Sequence, residues 1–335
     1  MKVTRIFVHP IKSCKGTSVQ SSEYTPQGLK YDRMFVIVDK ETHNMYTARD
    51  VPKMVLIHPQ VHPDTDAATG GALEIRFPED SGIDTIQVAL QPNDKLLDTW
   101  PRLEDVQIWS STTDAHVAPA LEGSSSEDPS LALSRYLDRD VLLVYKGRTT
   151  RYFTNDKMNL KGPTAFQDGY PILIATEESL RDVETKVDLS ASGAEGWAIP
   201  GVVNGGWNGD IAMERFRPNI VLEGSGTPYA EEEWEEIGFH RAPDAENEQG
   251  EGGASSPYGR LVCISKCTRC RLPNIDPENG VQHAHVPYKV LAKYRRVDTV
   301  KKALPCFGIN SVACESGVYK VGDVVRVRKM MNVTS

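Results

Sequence analysis

The first third of the chain is a series of short β-rich runs divided by turn residues, and this feature limits the fold most. Residues 3–8, 34–38, 73–77, 85–90 and 106–109 form the runs. Pro10, Gly16, Pro26-Gln27-Gly28, Pro63 and Gly70-Gly71 separate them. Several short strands at such spacing predict a barrel or a sandwich.

The pattern then changes. Residues 121–129 form a polar, Ser-rich linker. Ser126 or Asp128 is expected to cap a short helix over 129–137, with proline in its first turn. A strand is expected over 140–145. Residues 146–169 read as a polar, irregular loop over a site. From Tyr170 the chain reads as α plus β. Residues 171–175 form a buried strand, and Thr176 caps a helix over 177–187 with acids in its first turn. Residues 191–210, rich in Gly and Trp, read as an inserted loop. A strand over 220–222 precedes Thr227-Pro228, which are expected to open an acidic helix over 229–236. Residues 242–257 carry almost nothing apolar and are expected to be disordered. A helix over 287–295, a hairpin-like segment over 317–322 and a strand over 322–328 complete the expectation.

Composition narrows the function. A length of 335 residues allows two domains or one large one. The net charge of −8 argues against a protein that coats nucleic acid. No apolar run approaches the roughly 20 residues of a membrane helix. The N-terminus shows neither a signal-peptide core nor a transit segment. Five of the six cysteines fall between 263 and 314, which does not fit a secreted disulfide framework. Reduced thiols and a cytoplasmic location are expected.

Against that acidic background, basic clusters stand out. Lys266-Cys267-Thr268-Arg269-Cys270-Arg271 follows the apolar run 261–264 and precedes a Pro- and Asn-marked loop. Flanking positive charge is expected to favour thiolate over thiol, giving a nucleophile or a soft-metal ligand. Lys12 and Lys15 share a turn with Ser13 and Cys14, while Arg33 and Arg49 sit near strand ends. Together these loops fit an anion site better than any single lysine does. Three readings of the cysteines remain open. Cys267 and Cys270 could be half of a zinc site completed from Cys263, His283, His285, Cys306 or Cys314, but a structural site normally shows two close pairs. A thioredoxin-like pair is disfavoured because no helix pattern follows it. A single thiolate beside basic loops would suit a soft metal on an anionic, phosphate-bearing cofactor.

The ordered segments 10–16, Asp32-Arg33, Thr47-Ala48-Arg49, 216–220, 267–270 and 276–280, with Phe307-Gly308 and Val321-Gly322-Asp323, resemble the MOSC family. Within it, the chain looks most like the mitochondrial amidoxime-reducing component and its bacterial relatives. The resemblance implies a β-rich α+β chain: an N-terminal β-barrel domain over 1–120, a linker with a short helix and strand over 121–169, and a MOSC-type β-barrel domain with flanking helices over 170–330. It implies a molybdenum cofactor, molybdopterin-bound, between the two. Cys270 matches the protein thiolate on molybdenum and is the expected catalytic position. Thr268 and Arg269 should touch the cofactor, and Arg217 and Asn219 should hold its pterin or phosphate. Lys12, Ser13 and Arg33 should line the phosphate end, with Tyr170, beside Gly169, as a further contact. Cys267 is not assigned as a ligand. The implied activity is reduction of N-hydroxylated compounds such as amidoximes, hydroxylamines and N-hydroxylated bases, with electrons from a cytochrome b5-type protein and its reductase.

The rival reading is a cofactor carrier or sulfur-transfer module bearing a Cys270 persulfide. Pyridoxal phosphate is not expected, because the desulfurase domain that uses it needs a large fold of its own. The membrane anchor of mitochondrial members and the ferredoxin domain of some bacterial ones are not expected here. A mitochondrial association stays open.

Overall fold

In the computed structural model, residues 1–124, 127–203, 206–241 and 256–331 are described. Seven strands close a barrel. Around it run Ile220–Glu223, Ile172–Thr176, Cys306–Ala313, Gly259–Thr268, Trp234–His240, Val324–Met330 and Lys2–Val8, which returns to Ile220–Glu223. Among the described strands of the barrel, only Ile172–Thr176 and Ile220–Glu223 pair in parallel. Their crossover is the helix Glu177–Ala191, capped by the Thr176 side chain accepting from the Ser179 N–H. The expected cap is therefore the observed one, and the helix runs four residues beyond the expected end.

Strand alternation sorts side chains between two layers. Ile6 and Val8, Ile172 and Ile174, and Ile220 and Leu222 fill the barrel. Phe7, Ala175 and Val221, one residue out of step, face the helices instead. There they meet Leu180, Val183 and Val187 of the crossover helix and Val290 and Leu291 of the helix Tyr288–Tyr294. Gly308 stands in a barrel strand at φ 80°, and a Cβ there would fall 2.6 Å from the Ile174 carbonyl oxygen of the next strand. Gly308→Ala is expected to cost about 2 kcal/mol or more, from a strained φ and a backbone clash together. A lower urea midpoint with an unchanged slope would show it.

The other core lies in the first half of the chain. The sheet Phe35–Asp39, Val141–Lys146, Ser111–Val117, Arg102–Ile108 and the sheet His58–Pro63, Gly71–Arg76, Ile86–Ala89 contribute to it. Phe35 and Ile37 point into the main cluster, while Val36 and Val38 face a smaller one. The helix Pro129–Leu137 covers the main cluster and is capped by Asp128.

Three local expectations give way. Residues 229–236 are not a helix. Tyr229 takes φ 63°, a short 3-10 turn spans Ala230–Glu233, and Trp234–His240 is a barrel strand. Pairing on both sides, with Gly259–Thr268 and with Val324–Met330, outweighs the helical preference of the acidic residues. Residues 146–169 are not irregular throughout. Arg151–Asn155 and Leu160–Thr164 form a hairpin turned at Asn159, φ 47°. Gly317–Lys320 does not fold back on its own neighbour but pairs with Ser21–Thr25. The disorder expected over 242–257 falls almost wholly outside the described residues. Among the described residues, no helix is long and apolar enough to cross a membrane.

Candidate functional site

Uncommon backbone geometry gathers the basic residues. Ser13 (φ 70°), Arg33 (φ 52°) and Arg217 (φ 56°) all occupy the left-handed region, which non-glycine residues rarely adopt and which concentrates at functional sites. These three line one cleft of about 1250 Å³ together with Lys12, Tyr170, Asn219, Thr268, Arg269 and Cys270. The structure thus brings to one place all nine residues singled out above, although they lie as far apart as positions 12 and 270.

One carboxylate organises the cationic end. Asp32 is buried, and its Oδ1 accepts from the His9 N–H (2.9 Å) and from Asn219 Nδ2 (3.0 Å). Its Oδ2 accepts from Arg33 Nη1 at 2.6 Å. Burial alone would raise the Asp32 pKa; the Arg33 charge and the His9 contact overcome it and hold the carboxyl at about 2. Asn219 is fully engaged with the protein. Its Oδ1 accepts from the Leu173 N–H (3.1 Å) and from Arg33 (3.2 Å), and its Nδ2 also donates to the Phe7 carbonyl (3.2 Å). Its side chain therefore aims Arg33. Burial, followed by the charges of Arg33 and Arg217, pushes His9 down to about 3, so the imidazole is neutral at physiological pH. Sequence reasoning assigned no role to His9 or Asp32. The Asp32-Arg33 pair was visible, but its link to residue 219 joins loops 186 or more residues apart.

Arg217 donates from Nη1 to the Cys14 carbonyl at 2.6 Å. Its buried Nη2 has no hydrogen-bond partner among the described residues. Burial, and next the Arg33 charge, lower its pKa to about 10. Arg33 thus holds the Asp32 carboxylate, while Arg217 bonds a carbonyl and keeps one buried donor open. An unpaired buried donor is costly, and an incoming anion removes that cost. Lys12, also buried, bonds the Phe166 carbonyl (2.7 Å) and the Asp168 carboxylate. Trp109 Nε1 donates to the same carboxylate at 2.8 Å, and Arg49 lies 4.4 Å over the indole. Asp168 and Trp109 were not foreseen.

At the thiol end, Cys270 follows the strand Gly259–Thr268 and is exposed. Its Sγ accepts only a 3.4 Å contact from the Leu272 N–H among the contacts described. The flanking guanidinium groups are committed elsewhere. Arg269 bonds Cys267 Sγ (3.0 Å) and the Phe216 carbonyl (2.8 Å), with its buried Nε open, and Arg271 sits over the Tyr288 ring. Thr268 ends the strand opposite Cys306. Tyr170 accepts from Asn155 Nδ2 at 3.0 Å and packs on Phe153, tying the cleft wall to the hairpin. All six cysteines are free. Among the described residues, no three His, Cys, Asp or Glu side chains come together as metal ligands, so the Cys267/Cys270 half-site is not completed as a protein-only zinc centre.

A soft, accessible thiol at one part of a cleft and open guanidinium donors at another fit a metal carried on a phosphate-bearing organic cofactor. Two domain models match the chain: the MOSC N-terminal beta barrel domain over residues 1–121 and the MOSC domain over residues 161–326. The chain belongs to the MOSC-domain family. Among its relatives, the mitochondrial amidoxime-reducing component 1 of Mus musculus is 28% identical, across 96% of this chain and 81% of that protein. The mitochondrial amidoxime reducing component 2 of Rattus norvegicus is 27% identical, across 96% and 82%. Component 1 of Homo sapiens is 26% identical over the same shares. A solved structure, the YUAD protein from Bacillus subtilis, is similar over 97% of this chain and 93% of that one, at 11% identity and a TM-score of 0.35.

Proposed function

We propose that the chain is a molybdenum-cofactor-dependent reductase of N-hydroxylated compounds. One observation supports this most: an exposed thiol, Cys270, shares a cleft with open guanidinium donors, in a chain similar to proteins named amidoxime-reducing components. When bound, the cofactor supplies the two-electron redox centre. Cys270 gives its metal one protein thiolate. Arg217 Nη2 and Arg269 Nε offer buried donors to its anionic and polar edges. Arg33, fixed by Asp32 and Asn219, adds charge at the phosphate end, and Lys12, Ser13, Thr268 and Tyr170 shape the walls. The overall change breaks the N–O bond of R–NH–OH, consumes two electrons and two protons, and releases R–NH2 and water. A separate donor, by resemblance a cytochrome b5-type protein with its reductase, delivers the electrons.

The first measurement is metal and pterin content of protein purified from a host that makes the cofactor, followed by turnover of an amidoxime with a reduced viologen dye. Molybdenum and pterin near one per chain, with turnover, support the proposal. Zinc alone, or no metal, sinks it. A persulfide on Cys270 without turnover would favour sulfur transfer instead. Arg217→Met is expected to lower retained pterin by about tenfold or more, since it strips charge-assisted bonds from an enclosed anion. Fluorescence of the released, oxidised pterin reads this without any activity assay.

A further inference from the structure

We propose that the cleft selects substrates by an apolar body, and that Met158, Val297 and Val300 are the side chains that select. The inference rests on the reductase reading above. Among the described residues, nine large hydrophobic side chains are exposed, and four of them, Trp109, Met158, Val297 and Val300, line this one cleft. Scattered exposed hydrophobics are ordinary, but a group gathered in a concave site marks a surface meant to be covered. Trp109 is already engaged by Asp168 and Arg49. The other three have no polar duty.

Short pinned turns hold two of them out. Asp298 Oδ1 accepts from the N–H groups of Val300 (2.8 Å) and Lys301 (2.5 Å), and Val300 stands 68% exposed above that turn. Asn155 Oδ1 accepts from the Met158 N–H at 3.1 Å, and Asn159 turns the hairpin just beyond. The hairpin itself is seated on the barrel by Phe153 against Ile264 and Val312. Ile264 and Tyr170 continue the apolar lining of the same cleft. Both turns are thus built from side-chain caps, and the exposure of Val300 and Met158 is fixed by them. A hydrophobic display of this kind fits an N-hydroxylated compound with a neutral aryl or branched alkyl body, whose N–OH end can then reach towards Cys270. A small polar hydroxylamine gains nothing from it.

The experiment uses the metal-loaded protein, a reduced viologen dye, and two substrates: benzamidoxime and hydroxylamine. Met158→Ser and Val300→Ser are made singly and together. In the double variant KM for benzamidoxime is expected to rise about tenfold with kcat unchanged, the size of effect that apolar pocket contacts carry. Turnover of hydroxylamine should stay as in the wild type. Titration calorimetry with benzamidine, the product, should show a matching loss of affinity without any turnover. Equal changes for both substrates, or none for either, overturn the inference and leave the reductase reading standing. If the loaded wild type reduces neither compound, the reading falls and the inference with it. Both positions are exposed on turns. Should the double variant nevertheless melt early, Val300→Ser alone carries the same comparison.

Discussion

Cys270→Ala is expected to leave the fold intact and bring reduction of N-hydroxylated substrates down to background, with molybdenum lost or loosely held. The first half follows from exposure. The Sγ has only the long Leu272 contact, so its removal should change stability by less than about 0.5 kcal/mol. The second half follows from chemistry, because no other cysteine of the cleft is as free. Cys263 is buried against Ser311 at 3.6 Å, and burial pushes its thiol up to about 12. Cys267 is occupied by the Arg269 guanidinium. Cys267→Ala is therefore the informative partner experiment, expected to retain metal. Molybdenum kept in the first variant and lost in the second would move the ligand assignment from Cys270 to Cys267.

The second large effect concerns stability. Glu231 is fully buried, and its carboxyl accepts from Ser179 Oγ (2.8 and 3.0 Å) and Thr176 Oγ1 (3.0 Å). Burial is the main cause raising its pKa from 4.5 to about 7, with the neighbouring Glu232 adding to it against the hydroxyl contacts. Glu232 pairs through its Oε2 with Arg295 at 2.5 Å and Lys266 at 3.6 Å. The folded state thus holds the Glu231 proton more tightly than the unfolded chain. Stability from this group is full below pH 4.5, falls as pH rises through that value, and is spent above 7. At one pKa unit per 1.36 kcal/mol, the whole loss is about 3 kcal/mol. Glu231→Gln keeps the shape and cannot ionise. Its unfolding free energy should match that of the wild type near pH 4.5 and exceed it by about that amount at pH 8. A difference that does not vary with pH would show that the carboxyl is not protonated in the folded protein.

Short-range signals carried well from sequence to structure. The proline and Asp128 at the start of one helix, and Thr176 at the start of another, act within a single turn, and both caps are present. The β-rich class was legible for the same reason, since alternating apolar residues report local burial. Features settled across the chain were not legible. Residues 229–236 read as an acidic helix because their partners, 259–268 and 324–330, are distant in sequence. The hairpin 151–164 was missed because only Phe153 and Leu160 seat it, too few apolar positions to show a period of two. At the site, the basic residues were accessible through the ordered motifs that resemble the family. Asp168, Trp109 and His9 were not, because each gains its role only from loop residues distant in sequence.

The first strand of the barrel has a consequence for the order of assembly. Lys2–Val8 pairs with Ile220–Glu223 and meets Val324 at Lys2, so this strand waits for partners made more than 200 residues later. The same strand hands the Phe7 carbonyl to Asn219 and leads into His9, which binds Asp32. Arg33 is thus not aimed until residue 219 has been synthesised and docked. Contacts of such long sequence separation form slowly. A ribosome-bound chain halted before residue 219 would carry the Lys12–Arg33 segment without its anion pocket. On the proposed reading, loading of a phosphate-bearing cofactor would therefore be a late event, gated by barrel closure, and a mutation that merely delays closure would slow it without touching a single contact residue.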